Sequence, residues 1–249
     1  MRWSGSRLEI GTGAVTREGD VWRLVVPGAT GDRYADAQID DTSGRPRRRY
    51  RWRPPVRLSL RARFSHPSDA LRGTAGFGFW NVPFAPGHAM LPALPRAIWY
   101  FFGSPPHNVS LAAGVSGHGW KAACLDATRP AALLWAPLAP VVLLMSQSDS
   151  LGRRIWPRVQ RALGVSEAVL DVDLHRWHDY VLDWRTDGAD FHVDGQVVLS
   201  VPVSPRGPLG FVAWMDNQYA IATPRGRFGW GLLDVPLPQW LEIAGLTIV

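Results

Sequence analysis

Apolar and polar residues alternate along several stretches of the chain, which is the pattern of a β-strand with one buried face. The clearest stretch is Val56–Phe64, where every second residue is apolar and the residues between are three arginines and a serine. Ala97–Phe102 is instead apolar at every position. We therefore expect it to be a central strand or to line a pocket.

Turn signals separate these stretches from one another. Asp187-Gly188 and Asp194-Gly195 each lie between two alternating runs, which is typical of β-hairpins. The pattern predicts strands at residues 21–26, 34–39, 56–64, 74–82, 97–102, 109–115, 178–184, 189–193, 197–201, 209–215 and 240–249. Roughly eleven strands at turn-separated spacing are typical of a β-sandwich.

The middle of the chain breaks this pattern. Residues 131–145 are strongly apolar, but they are interrupted by prolines and are shorter than the ~20 residues of a membrane span. In residues 151–163 an apolar side chain recurs every fourth position among arginines, which predicts a basic amphipathic helix. We expect residues 131–169 to form a helical insertion in a single domain of residues 1–249. The sequence does not decide its role. The insertion could be a lid, a dimer surface, a weak membrane-surface contact through 151–163, or core filling.

Composition limits the class of protein. The chain has 249 residues, which fits one large domain or two small ones, and it is 46% hydrophobic and 19% charged, which excludes a disordered chain. The single cysteine, Cys124, excludes internal disulfides and a cysteine-based metal cluster. His175 and His178 have no recognised zinc spacing, so we expect no metal and no cofactor. No apolar leader segment follows Met1, which predicts a cytoplasmic location.

Positive charge is concentrated at one place. The net charge is +6, and six arginines lie between Arg45 and Arg53 together with Tyr50 and Trp52. Such a cluster could bind nucleic acid or phospholipid, or it could be a solvated loop before the next strand. No helix-turn-helix, RNA-recognition or zinc-finger pattern accompanies it, so we favour the loop and expect no nucleic-acid partner.

Residues 178–198 closely resemble a hairpin of glycoside hydrolase family 16, in which Trp-His-x-Tyr precedes Val-Asp-Gly. Here those places are held by Trp177-His178, Tyr180 and Val193-Asp194-Gly195. Residues 34–39, 56–64, 76–80 and 240–249 are similar to further strands of the family, in the same order. The resemblance covers residues 34–249 apart from the insertion. It implies an all-β, concanavalin A-like jelly-roll sandwich of two antiparallel sheets.

The resemblance does not extend to the family's catalytic residues. The family's catalytic strand carries Glu-x-Asp-x-x-Glu, which supplies a nucleophile and an acid/base. Ala97, Trp99 and Phe102 stand in those places, and the motif occurs nowhere else in the chain. We therefore expect the fold without the family's hydrolysis.

Candidate ligand-binding residues follow from the predicted concave face and from one polar-aromatic cluster. Aromatic faces stack on sugar rings or enclose an apolar ligand, and polar groups bind hydroxyls. The candidates are Trp80, Asn81, Trp99, Phe101 and Trp120 on the face, and Trp214, Asp216, Asn217 and Tyr219 in the cluster. For any one tryptophan the competing interpretation is a place in the core. The candidates for proton transfer are Asp216, His107 and His118.

Two main hypotheses remain open at this point. The first is a non-hydrolytic protein that binds a saccharide or another small molecule in an aromatic groove. The second is an enzyme of isomerase, cyclase or lyase type that acts on an apolar substrate in a lid-covered pocket. The sequence does not determine the oligomeric state.

Overall fold

The computed structural model describes residues 5–83 and 93–249. In these two ranges the strands are β1 (Ser6–Ile10), β2 (Ala14–Glu18), β3 (Val21–Val26), β4 (Asp36–Asp40), β5 (Val56–Phe64), β6 (Thr74–Trp80), β7 (Arg96–Gly103), β8 (Asn108–Val109), β9 (Gly119–Asp126), β10 (Ser166–Val169), β11 (His178–Trp184), β12 (Ala189–Val193), β13 (Gln196–Val201), β14 (Gly210–Asp216), β15 (Gln218–Ala222), β16 (Phe228–Leu232) and β17 (Gln239–Ile248). The α-helices are α1 (Pro130–Trp135), α2 (Ala139–Met145) and α3 (Asp149–Ala162), and short 3-10 turns lie at Arg47–Arg49 and Ala136–Leu138.

The described strands form two large sheets and one small sheet. The front sheet has the order β1-β4-β14-β6-β7-β9-β10, and the back sheet has the order β13-β12-β11-β5-β17-β3-β2. Neighbouring strands in both are antiparallel. The small sheet is β16-β15-β8, in which β8 runs parallel to β15. The predicted all-β, concanavalin A-like sandwich of two antiparallel sheets is confirmed.

Aromatic side chains fill the space between the front and back sheets. Phe77, Tyr100 and Tyr180 meet with ring centroids 5.0–5.3 Å apart, and all three are buried. The Tyr100 hydroxyl of the front sheet lies 2.9 Å from the carbonyl oxygen of Val181 and 2.8 Å from that of His192, both in the back sheet. A tyrosine is well suited to this place because its ring is apolar while its hydroxyl satisfies a backbone acceptor.

Trp120 belongs to this core. It lies on β9, is 2% exposed, and packs against Phe64 at 5.3 Å and Phe77 at 5.6 Å between ring centroids. The prediction that Trp120 lines the concave face is therefore wrong. The sequence pattern missed β9 altogether, so it could not show which side of the strand Trp120 occupies.

The insertion is shorter than predicted. Its helices end at Ala162, and Ser166–Val169, predicted as part of residues 131–169, forms the edge strand β10 that pairs with β9. Residues 109–115 are also not one strand, because β8 ends at Val109. The predicted basic amphipathic helix corresponds to α3.

The helices of the insertion pack against the loop after β8 and against the turn between β15 and β16. The Trp156 indole donates a hydrogen bond of 2.8 Å to the Leu111 carbonyl, and the Gln147 side chain donates one of 2.8 Å to the Arg225 carbonyl. None of the helices in residues 5–83 and 93–249 is long and apolar enough to cross a membrane.

Replacement of Trp120 tests its assignment to the core. Trp120→Ala is expected to lower the free energy of unfolding by about 3–5 kcal/mol, because it leaves a cavity among buried rings. Urea denaturation followed by circular dichroism measures the change. Trp230→Ala is the matched control, since Trp230 is 78% exposed and its truncation should change stability by less than about 0.5 kcal/mol. Equal effects of the two substitutions would contradict the assignment.

Candidate binding site on the outer face of the front sheet

Two glycines of β6 make room for large side chains on the outer face of the front sheet. Gly76 lies between Trp214 of β14 and Phe101 of β7, and Gly78 pairs with Trp99 of β7. A Cβ atom at Gly76 would come within 2.8 Å of the Trp214 ring, and one at Gly78 within 2.5 Å of the Trp99 Cβ. Gly78 also has φ +151°, which side-chain-bearing residues rarely adopt.

Four aromatic residues cover this space and form what we call the aromatic platform: Trp80, Trp99, Phe101 and Trp214. Trp99 is its centre, with ring centroids 5.7 Å from Trp80, 5.5 Å from Phe101 and 5.2 Å from Trp214. Trp80, Trp99 and Phe101 are half-buried, whereas Trp214 is 8% exposed. The structure thus places four of the predicted ligand-binding residues side by side on one outer surface.

The platform includes Trp99 and Phe101 of β7, the strand that the sequence resemblance aligns with the family's catalytic strand. β7 pairs with both neighbours without a register shift, so its side chains alternate strictly. Trp99 and Phe101 face outwards, while Phe102 is 1% exposed and faces the core. Phe101, and not Phe102, is therefore the third residue that β7 presents on this face, after Ala97 and Trp99.

Asp216 lies at one end of the platform, at the end of β14. Its Oδ1 accepts hydrogen bonds from the Thr74 hydroxyl at 2.7 Å, the Thr74 amide at 3.2 Å and the Gln218 amide at 3.0 Å. The Thr74 hydroxyl in turn accepts a hydrogen bond of 3.0 Å from the Trp214 indole. Hydrogen bonds through Thr74 therefore connect Asp216 to Trp214 of the platform. Asp216 itself is only 5% exposed.

A second carboxyl group lies beside Asp216. Asp36 of β4 is its register partner, is 2% exposed, and its Oδ1 has no hydrogen-bond partner among the described residues. The Tyr34 hydroxyl donates to Asp216 Oδ2 at 3.4 Å. Burial raises the pKa of Asp216 to about 6. Burial and the charge of Asp216 hold the pKa of Asp36 well above its usual range, because two adjacent buried carboxylates repel each other.

His107 and Lys121 lie at the same end of the sheet, on the side of β9. The His107 ring is 5.0 Å from Phe101, and its Nδ1 accepts a hydrogen bond of 3.2 Å from the Ala220 amide. Burial and the neighbouring Lys121 lower the pKa of His107 to about 3. The imidazole is therefore neutral, with its hydrogen on Nε2.

Lys121, the only lysine of the chain, joins the front sheet to the small sheet. Its ammonium donates to the Val109 carbonyl at 2.9 Å and to the Ser116 carbonyl at 3.2 Å, and it lies 3.5 Å from Glu167. Burial lowers the pKa of Lys121, and burial raises that of Glu167. Lys121 is 1% exposed, so these contacts position β8 against the front sheet and leave no room for a ligand at the ammonium.

Several predicted site residues have structural roles instead. Asn81 is 1% exposed, donates to the Leu94 carbonyl and accepts from the Arg96 amide, each at 2.9 Å. Asn217 is fully buried; it accepts from the Ala35 amide at 2.9 Å, and its amide group contacts three backbone carbonyls. Their predicted ligand contacts are wrong, because these groups are already bound to the backbone.

The remaining candidates are dispersed. Tyr219 lies in the small sheet, where its ring covers Gly231. His118 is exposed, and neither it nor His107 is among the hydrogen-bond partners of Asp216 in the described residues. In the described residues, therefore, neither histidine forms a hydrogen bond with Asp216. Sequence reasoning missed Tyr34 and Asp36. Their signal is that Tyr34, just before β4, and Asp36 and Gln38 on β4 follow at every second position, as the polar face of a strand does.

Comparisons with known proteins find similarity only among solved structures. No protein-family model matches the chain, and no curated protein matches it. A structure described as a sialidase matches 98% of this chain at 10% identity with a TM-score of 0.43, and this chain spans only 16% of that protein. A pseudo beta-1,3-glucanase of Mycobacterium tuberculosis matches 92% at 13% identity, with 77% of that chain covered and a TM-score of 0.45.

A glycoside hydrolase family 16 endo-glucanase from Bacteroides ovatus is also similar, with 11% identity, 96% of this chain and 85% of that chain covered, and a TM-score of 0.46. The structures similar to this chain thus include members of the family that the sequence resembles. All three TM-scores lie below 0.5. The assignment of the jelly-roll fold therefore depends on the sheet order and pairing described above.

The raised pKa of Asp216 predicts a pH dependence of stability. Between its ordinary pKa of 3.8 and the folded value of about 6, the folded state keeps a proton that the unfolded state releases. The contribution of this group to stability is therefore full below about pH 4 and falls as the pH rises through about 6. The difference between the two pKa values corresponds to about 3 kcal/mol.

Asp216→Asn is expected to reduce this decline, as measured by urea denaturation at several pH values between about 4 and 7. Asp187→Asn is the control, because the Asp187 side chain is 83% exposed and should leave the slope unchanged. A slope for Asp216→Asn equal to that of the unaltered protein would show that Asp216 is ionised throughout.

Proposed function

We propose that the protein binds a saccharide on the aromatic platform and does not hydrolyse it. The observation that carries this proposal is the run of contacting rings from Trp80 through Trp99 to Phe101 on an outer sheet face. Three half-buried aromatic side chains in one row present apolar surface to the solvent. A flat ligand with apolar ring faces, such as a pyranose, would cover that surface and keep its hydroxyls at the rim.

One polar group suited to a sugar rim lies next to the platform. Gln38 is the register partner of Trp214 and is half-buried, and its amide nitrogen donates to Asp40 at 3.0 Å. That hydrogen bond fixes the orientation of the amide beside the ring. A small number of fixed polar groups around a mainly aromatic surface is the usual composition of a small-molecule site.

The proposed absence of hydrolysis follows from the acids on this face. A retaining glycosidase needs two carboxyl groups about 5–5.5 Å apart on either side of the scissile bond. β7 presents Ala97, Trp99 and Phe101 there, none of which is an acid. Asp216 accepts three hydrogen bonds on Oδ1 and is 5% exposed, so its carboxyl is unsuited to attack a sugar carbon.

The paired carboxyls support one alternative, an enzyme that moves protons on an apolar substrate. Asp216, with a pKa of about 6, lies next to Asp36 and the Tyr34 hydroxyl. A group with a pKa near neutrality is suited to general acid/base catalysis. This alternative requires that a substrate reach the buried pair from the platform, and it predicts that Asp216→Asn abolishes turnover while binding persists.

Truncation of the platform tests the binding proposal. Trp99→Ala is expected to weaken binding of laminari- or cello-oligosaccharides by about tenfold or more, because it removes the central ring of the surface. Isothermal titration calorimetry measures the affinity. Trp240→Ala is the matched control: Trp240 is also half-buried but lies in the back sheet against Arg23 and Arg63. Equal affinity of both variants, or no binding by the unaltered protein, would refute the saccharide site.

A second test addresses hydrolysis. Incubation with β-1,3- and β-1,4-glucans should release no reducing ends above background, because no accessible carboxyl pair flanks the platform among the described residues. Reproducible release that Asp216→Asn abolishes would favour the enzyme over the binding protein. Release that this substitution leaves intact would instead mean that the acids have been assigned wrongly.

A further inference from the structure

Residues 130–145 form an exposed helical segment without a charged side chain, which we call the apolar arm. It consists of α1, the 3-10 turn at Ala136–Leu138, and α2. Leu134 is 77% exposed, Leu144 73% and Val141 53%. Within α1 and α2 only Ala132 and Val142 are fully buried, so the arm contacts the rest of the protein along a narrow edge.

This arrangement differs from that of an ordinary surface helix. A helix at the surface of a soluble domain buries an apolar stripe and presents charged residues to water. The apolar arm instead presents leucines, valine, alanines and prolines to solvent, and its only side-chain hydrogen-bond donor is the Trp135 indole. Exposed apolar surface of this kind marks a site of contact with a partner or a membrane.

α3 supplies positive charge beside the arm. Its buried side includes Val159 and Ala162, whereas Arg153, Arg154 and Arg158 are exposed. Arg158 donates to the Arg154 carbonyl at 2.7 Å, and the ion pairs of the described residues include no carboxylate for these three arginines. The only acid of α3, Asp149, pairs with Arg225.

A membrane contact through the apolar side of residues 151–163, as the sequence predicts, is therefore less well supported than one through the apolar arm. The apolar stripe of α3 begins at Leu151, which is 40% exposed, but continues to the buried Val159. The more extensive exposed apolar surface lies on the arm that precedes α3. α3 contributes its arginines to that surface, and not an apolar face.

Two exposed aromatic residues follow a turn that contacts the arm. The turn between β15 and β16 contacts α2, since Gly226 lies against Leu143 and the Arg225 carbonyl accepts a hydrogen bond from Gln147. Phe228 and Trp230 follow this turn on β16 and are 74% and 78% exposed. Trp and Phe next to leucines and arginines are the composition of segments that lie in a lipid interface.

We propose that the apolar arm lies in the interface of an anionic lipid membrane, with the arginines of α3 against the lipid head groups. A lipid surface fits better than a protein groove, because the arm offers almost no hydrogen-bonding groups through which a protein partner could be recognised. The unpaired arginines complement a negative surface. This contact does not depend on the saccharide site, since the arm and the aromatic platform share no residue.

The test is co-sedimentation of the full chain with vesicles. The vesicles consist of phosphatidylcholine alone, or of equal parts of phosphatidylcholine and phosphatidylglycerol. The protein should bind the anionic vesicles, and salt should weaken the binding. The double substitution Leu134→Glu, Leu144→Glu should reduce binding at least tenfold, because it places charge in the apolar arm.

Two further variants make the result specific. Replacement of Arg153, Arg154 and Arg158 by glutamine should abolish the preference for anionic vesicles. Leu237→Glu is the control, because Leu237 is 64% exposed and lies between β16 and β17; its binding should equal that of the unaltered protein. Circular dichroism with thermal unfolding establishes that each variant is folded.

Two results would overturn the proposal. The first is binding of the Leu134, Leu144 double variant at the level of the control. The second is that the unaltered protein does not bind anionic vesicles. If light scattering then shows that it is a dimer and that the double variant is a monomer, the arm is an interface between two copies of the chain.

Discussion

Strict alternation along β7 determines both the core and the outer face of the front sheet. Ile98, Tyr100 and Phe102 point inwards, where the Tyr100 hydroxyl reaches the back sheet. Trp99 and Phe101 point outwards in the same strand. A one-residue shift in the register of β7 would turn its inward-facing side chains outwards and its outward-facing side chains inwards. The packing that stabilises the sandwich therefore also holds the platform in place.

The glycines of β6 are the second half of this arrangement. Gly76 and Gly78 contribute no side chain, and the rings of Trp214 and Trp99 occupy the space above them. Glycine weakens a strand because it has more conformational freedom to lose. Here that loss is offset by ring contacts on one side and by the buried Phe77 and Phe79 on the other. The platform is thus built on three adjacent central strands of the front sheet, β14, β6 and β7.

The sequence predicts the parts of the fold whose pattern is local. Val56–Phe64 and the hairpins from His178 to Val201 were recognisable because polar and apolar residues alternate between defined turns. The sequence pattern does not predict β9, because its small residues Ala122, Ala123 and Cys124 show no alternation of polar and apolar side chains. Trp99 belongs to a strand that the sequence pattern predicts, and the structure places it on the outer face of the front sheet. Trp120 lies in the core, and the sequence does not predict its side because the pattern does not show β9. Asn81 and Asn217 resemble ligand-binding residues in sequence, because an amide that bonds to backbone is identical in type to one that bonds to sugar.

The insertion leaves the sandwich and returns to it at almost the same point. Asp126, the last residue of β9, donates from its amide to the Leu163 carbonyl at 2.9 Å, three residues before β10 begins. The entropy of closing such an excursion grows only slowly with its length. β9 and β10 can therefore pair as neighbours whatever the intervening segment contains. The sequence of residues 130–162 is consequently free to diverge under selection for what it touches, without altering the register of the sheet that carries it.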